Sequence, residues 1–188
     1  MDKESIREYL DEGARIRKLV NVEEIHEIGV EIAERIIKNK GTFMIFGNGG
    51  SAADAQHIAE EFSGMCDRRY RRPLASMALT TNSSVLTAFA NDFGYDEVFA
   101  RQIRGIAKEN DVAIGISTSG NAMSVIKGIE EANKMGCFTI AFTGKTAGNL
   151  RGKADRIIRV DSTSTPLIQE VHITIGHILS KIVEDLIE

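Results

Sequence analysis

The sequence contains little of what secreted, membrane-spanning or nucleic-acid-binding proteins require. Two cysteines, Cys66 and Cys137, in 188 residues are too few for a disulfide framework, which indicates a reducing compartment. No apolar run approaches the roughly 20 residues of a membrane helix. A formal net charge of −4 offers no basic excess for nucleic acid or an anionic membrane. The charged N-terminus lacks the apolar core of a secretory signal. We therefore expect a cytoplasmic protein with no nucleic-acid or membrane partner.

Hydrophobic periodicity predicts a single α/β domain over residues 1–188. Two amphipathic helices, Ser5–Val20 and Val22–Asn39, precede five short apolar segments that alternate with helices. Such strands are typical of a doubly wound parallel sheet covered on both faces. The predicted strands are 42–46, 76–79, 112–116, 137–142 and 157–160. We divide the domain into a helical pair (1–40) and an α/β sandwich (41–188). The pair is predicted to mediate oligomerisation, with packing on its own sheet as the alternative.

A glycine-rich loop, Gly47-Asn48-Gly49-Gly50-Ser51, follows the first predicted strand. Three glycines let the backbone approach a ligand, and the next helix offers free N–H groups to an anion. The loop lacks the Gly-Lys-Ser/Thr ending of a nucleoside-triphosphate loop. A dinucleotide site needs an acidic residue at the end of the second strand, where this chain has Thr80-Thr81-Asn82. The loop therefore favours a smaller anionic ligand.

Consecutive hydroxyl side chains follow the third predicted strand, at Ser117, Thr118 and Ser119. An ordinary helix N-cap needs one hydroxyl, whereas three suit a phosphate monoester. No lysine or arginine lies in this segment, so binding would depend on neutral donors and the helix dipole. A basic run, Asp67–Arg72, is predicted to be a solvated loop, with phosphate or partner contact as the alternative.

Two predicted helices carry polar side chains that are candidate ligands. His57 and Glu61 are four residues apart, on one face of the helix after the glycine loop, a pair that alone is more often a surface contact than a site. Gln169, His172 and His177 interrupt an otherwise apolar last helix, where a single histidine is more often an interior residue than a ligand. His26 has no such neighbours and is interpreted as structural.

Four segments together resemble the phosphoheptose isomerases, a branch of the sugar isomerase (SIS) domain superfamily. They are GNGGSAADAQHIAEE (47–61), ANDFGYDEVFARQ (90–102), GISTSGNA (115–122) and IQEVHITIGHIL (168–179). The resemblance implies the SIS fold, a homotetramer and one zinc ion per subunit. It implies isomerisation of D-sedoheptulose 7-phosphate to D-glycero-D-manno-heptose 7-phosphate through an enediol, the first step of heptose precursor biosynthesis.

The resemblance also assigns roles to individual residues. It implies that the glycine loop contacts the sugar phosphate and that Ser117–Ser119, which we call the hydroxyl segment, contact the phosphate. It also implies a pair of residues that line the sugar, and a metal site in which some ligands also contact the substrate. Substrate-binding residues would be Asn48, Gly49, Gly50, Ser51, Glu61, Asn91, Asp92, Ser117, Thr118, Ser119 and Gln169. Metal ligands would be His57, Glu61, Gln169 and His177, with Glu61 and His177 transferring protons.

Three positions depart from the family pattern. Ala122 stands where a serine is common, Leu167 where an arginine is frequent, and Met65-Cys66 where a basic and an aromatic residue often occur. None of these changes removes a proton-transfer residue, so they bear on substrate affinity more than on chemistry.

Helix geometry complicates the implied ligand set. Gln169 and His177 are eight residues apart, about 12 Å along a regular helix and about 80° around it. We therefore expect either a disturbed helix near Gly176 or a ligand from a neighbouring subunit, and we favour the second. Two other functions stay open: a non-catalytic SIS regulator that binds a sugar phosphate or a replication initiator, and an isomerase for another phosphosugar.

Overall fold

A computed structural model of the chain describes residues 1–64 and 72–187. Five strands form the sheet: β1 (Phe43–Gly47), β2 (Ser76–Ala78), β3 (Val112–Ser117), β4 (Phe138–Thr143) and β5 (Arg156–Arg159). Seven α-helices are α1 (Lys3–Arg17), α2 (Val22–Ala33), α3 (Gly50–Ser63), α4 (Ser83–Phe93), α5 (Val98–Ile106), α6 (Met123–Lys134) and α7 (Thr165–Asp185). A π-helical turn (Glu34–Lys38) and two 3-10 turns (Tyr95–Glu97, Gly148–Leu150) join them.

The sheet has the order β2-β1-β3-β4-β5, and all its neighbours pair in parallel. This confirms the predicted five-stranded, doubly wound parallel sheet. The chain moves from β1 to β2 on one side and to β3 on the other, so the switch point lies at β1 and β3. In such sheets ligands bind beyond the carboxyl ends of the strands at this point. The glycine loop and the hydroxyl segment follow these two strands.

Helix α2 packs inside the subunit. The predicted stripe, Ile25, Ile28 and Ile32 on α2 with Ile36 in the following π-helical turn, is at most 4% exposed and belongs to the core on the α7 side of the sheet. That stripe therefore serves the subunit's own core, which is the alternative we left open. Helix α1 instead leaves Leu10 63% exposed.

Apart from shifts of one to three residues at element ends, the structure differs from the predicted elements in two places. The single helix predicted from Ser83 is divided into α4 and α5, because Gly94 adopts a positive φ of 86° that ends α4. The second predicted helix ends earlier, at Ala33, and continues as the π-helical turn. Residues 65–71, which include Cys66 and most of the basic run, lie outside the described residues. None of the described helices has the length and apolar character needed to cross a membrane.

Candidate metal and sugar-phosphate site

Three side chains from two helices meet in one cluster. His57 and Glu61 lie one turn apart on α3, and His177 lies on α7. Glu61 Oε1 is 3.4 Å from His57 Nε2 and 3.5 Å from His177 Nε2. The two Nε2 atoms are 3.4 Å apart. We call these three residues the His-Glu-His cluster.

The donor atoms of the His-Glu-His cluster fit a zinc ion. Two atoms bonded to one tetrahedral zinc ion at 2.0–2.1 Å lie about 3.4 Å apart, and imidazole and carboxylate are common zinc ligands. Glu61 is 13% exposed, and its Oε2 is buried without a hydrogen-bond partner among the described residues. A buried, unpartnered carboxylate oxygen is costly unless a cation or a proton donor compensates it.

A close helix crossing brings this cluster together. A Cβ added at Gly176 would lie 2.4 Å from Ile58 Cδ1, so only glycine lets α7 approach α3 this closely. Ile58 and Gly176 are the direct neighbours of His57 and His177. Helix α7 is continuous from Thr165 to Asp185, so the helix disturbance at Gly176, the alternative that we did not favour, does not occur. The glycine acts through packing, and all three clustered donors come from one chain.

Gln169 lies at the glycine loop. A Cβ added at Gly50 would be 2.5 Å from Gln169 Nε2, so the amide rests directly on the loop backbone. Two turns of α7 separate Gln169 from His177, and its donation to the same ion stays a prediction. His172, between them, is fully buried, and its Nε2 lies 3.2 Å from the Thr143 carbonyl oxygen. Burial lowers the pKa of His172 to about 4, which identifies a neutral interior histidine.

The hydroxyl segment forms a braced loop between β3 and α6. Ser117 is buried, Thr118 is half-buried and Ser119 is exposed. The Leu150 N–H donates to the Gly120 carbonyl oxygen at 3.0 Å, so the neighbouring 3-10 turn supports the loop. The register pairs Gly47 with Ile116, which brings the glycine loop and the hydroxyl segment to the same edge of adjacent strands.

The departures from the family pattern have different structural consequences. Ala122 is the N-cap of α6 and makes no side-chain capping hydrogen bond. The Ser124 hydroxyl does not replace it, because it is 2% exposed and accepts a 3.0 Å bond from Asn48 Nδ2. Leu167 is buried in the core, so its aliphatic side chain contributes to packing.

The predicted sugar-lining pair lies at the exposed end of α4. Asn91 Nδ2 donates to Asp92 Oδ1 at 2.8 Å, and the structure gives neither residue a contact with the His-Glu-His cluster. Two polar residues near the site were missed by sequence reasoning. Asp54, one turn before His57, has a buried Oδ2, and burial raises the pKa of its carboxyl. The Tyr95 hydroxyl donates to Asn48 Oδ1 at 2.9 Å. Both lie within motif segments, but only the fold relates Tyr95 to the loop.

Comparison with known proteins identifies the family of this chain. The SIS domain family model matches residues 8–144. A probable phosphoheptose isomerase from Thermoplasma acidophilum is 49% identical over 95% of this chain and 97% of its own length. A phosphoheptose isomerase from Aquifex aeolicus is 44% identical over 98% and 97%. The chain belongs to the phosphoheptose isomerase family of SIS-domain proteins.

Solved phosphoheptose isomerases share the fold over the whole chain. The enzyme from Neisseria gonorrhoeae superposes with a TM-score of 0.90 at 35% identity, covering 98% of this chain and 99% of that one. The enzyme from Francisella tularensis gives 0.92 at 28% identity, covering 98% and 100%. The SIS fold and the leading helices are therefore family features in this chain.

The helix crossing makes a testable prediction for Gly176→Ala. The added methyl group would overlap Ile58, so we expect a loss of about 1–3 kcal/mol in the free energy of unfolding, measured by urea denaturation. The affinity for zinc should fall in the same variant. Gly105→Ala is the matched control, because a Cβ on this helical glycine meets nothing within 4 Å and should stabilise α5. Equal stability of Gly176→Ala and wild type would contradict the close crossing.

Proposed function

We propose that the protein is an aldose–ketose isomerase that converts D-sedoheptulose 7-phosphate to D-glycero-D-manno-heptose 7-phosphate. The observation that carries this proposal is a shielded carboxylate, Glu61, between two imidazoles within one helix crossing. Relatives that align over nearly the whole chain bear the name phosphoheptose isomerase, which supports the same substrate. This reaction would be the first step of heptose precursor biosynthesis.

Isomerisation requires a base beside the C1–C2 edge of the sugar. Glu61 takes the proton from the carbon next to the carbonyl group and returns it to the neighbouring carbon, which leaves an enediol between the two steps. His177, 3.5 Å from Glu61, moves a proton between the two sugar oxygens. The low exposure of Glu61 limits competition from water for this carboxylate.

The remaining predicted residues bind and orient the substrate. Ser117, Thr118 and Ser119 hold the phosphate with hydroxyl and backbone donors at the start of α6. The glycine loop, Asn48 to Ser51, contacts the sugar phosphate, and Asn91 and Asp92 line the sugar. Binding energy from the distant phosphate positions the reacting carbons over Glu61.

A zinc ion, one per subunit, is part of this proposal. His57, Glu61, Gln169 and His177 would hold it, with Gln169 from the same chain or from a neighbouring subunit. When bound, the ion stabilises negative charge that develops on the two sugar oxygens. Two imidazoles, a carboxylate and an amide bind zinc less tightly than thiolates do, so purified protein should be partly loaded.

We infer further that residues 1–188 act as one SIS domain in a cytoplasmic homotetramer. Helix α4 supports assembly, because none of its residues is buried although it carries Phe89 and Phe93. Exposed apolar side chains on α1, including Ile6 and Leu10, add to the surface that a second subunit would cover.

A non-catalytic SIS regulator is the second candidate. Such a protein would keep the phosphate loop but has no need of a carboxylate between two histidines. The 3.4–3.5 Å spacing of the His-Glu-His cluster therefore favours the enzyme.

Substitution of the proposed base tests the reaction. Glu61→Gln retains the shape of the side chain but loses the proton acceptor, so turnover of sedoheptulose 7-phosphate should fall at least about a hundredfold. Circular dichroism and substrate affinity should stay close to those of wild type. Glu60→Gln, an exposed carboxylate on the same helix, is the control and should remain active. Near-normal turnover by Glu61→Gln would rule out this base.

The role of zinc is tested by metal analysis. Wild-type protein should contain up to one zinc per subunit, lose activity on chelation and regain it when zinc is returned. His57→Ala should contain little zinc, whereas His26→Ala, an exposed histidine on α2, should match wild type. Full activity of metal-free protein would remove zinc from the proposed chemistry.

The assembly is tested by multi-angle light scattering at micromolar concentration. Four copies of the 20.6 kDa chain give an expected mass of about 82 kDa. A mass near 20.6 kDa would contradict the tetramer.

A further inference from the structure

The side chain of Asn48 is held from two directions by residues outside its loop. The Tyr95 hydroxyl donates to Asn48 Oδ1 at 2.9 Å. Asn48 Nδ2 donates to the Ser124 hydroxyl at 3.0 Å. Tyr95 follows α4 and Ser124 lies in the first turn of α6, so two separate segments hold the amide that the glycine loop carries.

The backbone at the end of α4 explains how Tyr95 reaches this loop. Gly94 has φ 86° and ψ 150°, a conformation that residues with a side chain rarely adopt. The chain leaves α4 there and enters the 3-10 turn that begins with Tyr95. The Lys127 ammonium, 2.8 Å from Glu97 Oε1, ties the end of this turn to α6.

The two hydrogen bonds fix the plane of the Asn48 amide. An asparagine side chain has two N–H donors and two oxygen lone pairs, and these bonds use one of each. The second N–H can donate to a sugar oxygen, and the second lone pair can accept from a sugar hydroxyl group. Without the Tyr95 bond the side chain could rotate about its last torsion, and ordering it would then cost binding energy.

We propose that Tyr95 is a positioning residue, which orients Asn48 for the sugar phosphate without taking part in proton transfer. This inference rests on the proposed function, because it assigns Asn48 to substrate binding. It also gives the segment 90–102 a role beyond Asn91 and Asp92, since the fold brings its tyrosine to the glycine loop.

Because Tyr95 is exposed, we expect loss of its hydroxyl group to change substrate binding rather than folding. Its side chain is 53% exposed, so the hydroxyl contributes little to folding. The Asn48 contact is expected in the bound substrate and in the transition state alike. Loss of such uniform binding raises KM and leaves kcat unchanged.

The test is a double-mutant cycle on Tyr95→Phe and Asn48→Ala. Tyr95→Phe should raise KM for sedoheptulose 7-phosphate about fivefold, with kcat and the melting temperature close to wild type. In the Asn48→Ala background the same substitution should change KM by less than about twofold. Tyr9→Phe is the control, since it removes a 2.8 Å tyrosine bond to Glu170 on the α1 side of the fold.

Two results would overturn the positioning role: an unchanged KM in Tyr95→Phe, or the same fivefold rise with and without Asn48. If the wild type does not turn over sedoheptulose 7-phosphate, the proposed reaction is contradicted, but the role of Tyr95 can still be tested. The dissociation constant of sedoheptulose 7-phosphate is then measured for wild type, Tyr95→Phe, Asn48→Ala and the double variant. A wild type that does not bind this sugar phosphate would overturn both the proposed reaction and the positioning role.

Discussion

The packing of the Ile58 side chain of α3 against Gly176 of α7 sets the geometry of the site. A Cβ added at Gly176 would lie 2.4 Å from Ile58 Cδ1, so the helices can cross this closely only with glycine at this position. Their polar neighbours, His57, Glu61 and His177, are thereby held with donor atoms 3.4–3.5 Å apart. The same helix α7 extends two turns to the glycine loop, so one helix connects the His-Glu-His cluster to the loop.

In the proposed reaction, phosphate binding and proton transfer occur on different elements of the fold. The proposed phosphate donors follow β3 and precede α6, whereas the carboxylate and imidazoles of the His-Glu-His cluster lie on α3 and α7. The segment from Ser117 to Asn121 carries no charged side chain, so the proposed base Glu61 lies on a different element from the proposed phosphate donors. A seven-carbon sugar 7-phosphate carries its phosphate several carbons away from the reacting carbons, which suits phosphate donors and a base on different elements.

Periodicity and loop chemistry predicted the sheet and the apolar stripe from Ile25 to Ile36, although oligomerisation rather than core packing was the favoured role of that stripe. The candidate ligands on α3 and α7 were implied by the family resemblance. These inferences failed where the answer depends on contacts between distant segments. Helix arithmetic gives the spacing of Gln169 and His177 within α7, but it contains no information on how α7 crosses α3. The packing role of Gly176 was therefore not predicted, and the sequence suggested for this glycine only a helix disturbance, which we did not favour. Tyr95 was missed for the same reason, because its partner Asn48 is 47 residues away.

The most direct test of the central claim is a comparison of initial rates on three phosphosugars with zinc-loaded wild-type protein. The substrates are sedoheptulose 7-phosphate, fructose 6-phosphate and arabinose 5-phosphate, and products are identified by NMR. The account predicts conversion of sedoheptulose 7-phosphate to D-glycero-D-manno-heptose 7-phosphate, with much slower reaction of the two shorter sugars. Failure to convert sedoheptulose 7-phosphate, or faster conversion of either shorter sugar, would contradict it.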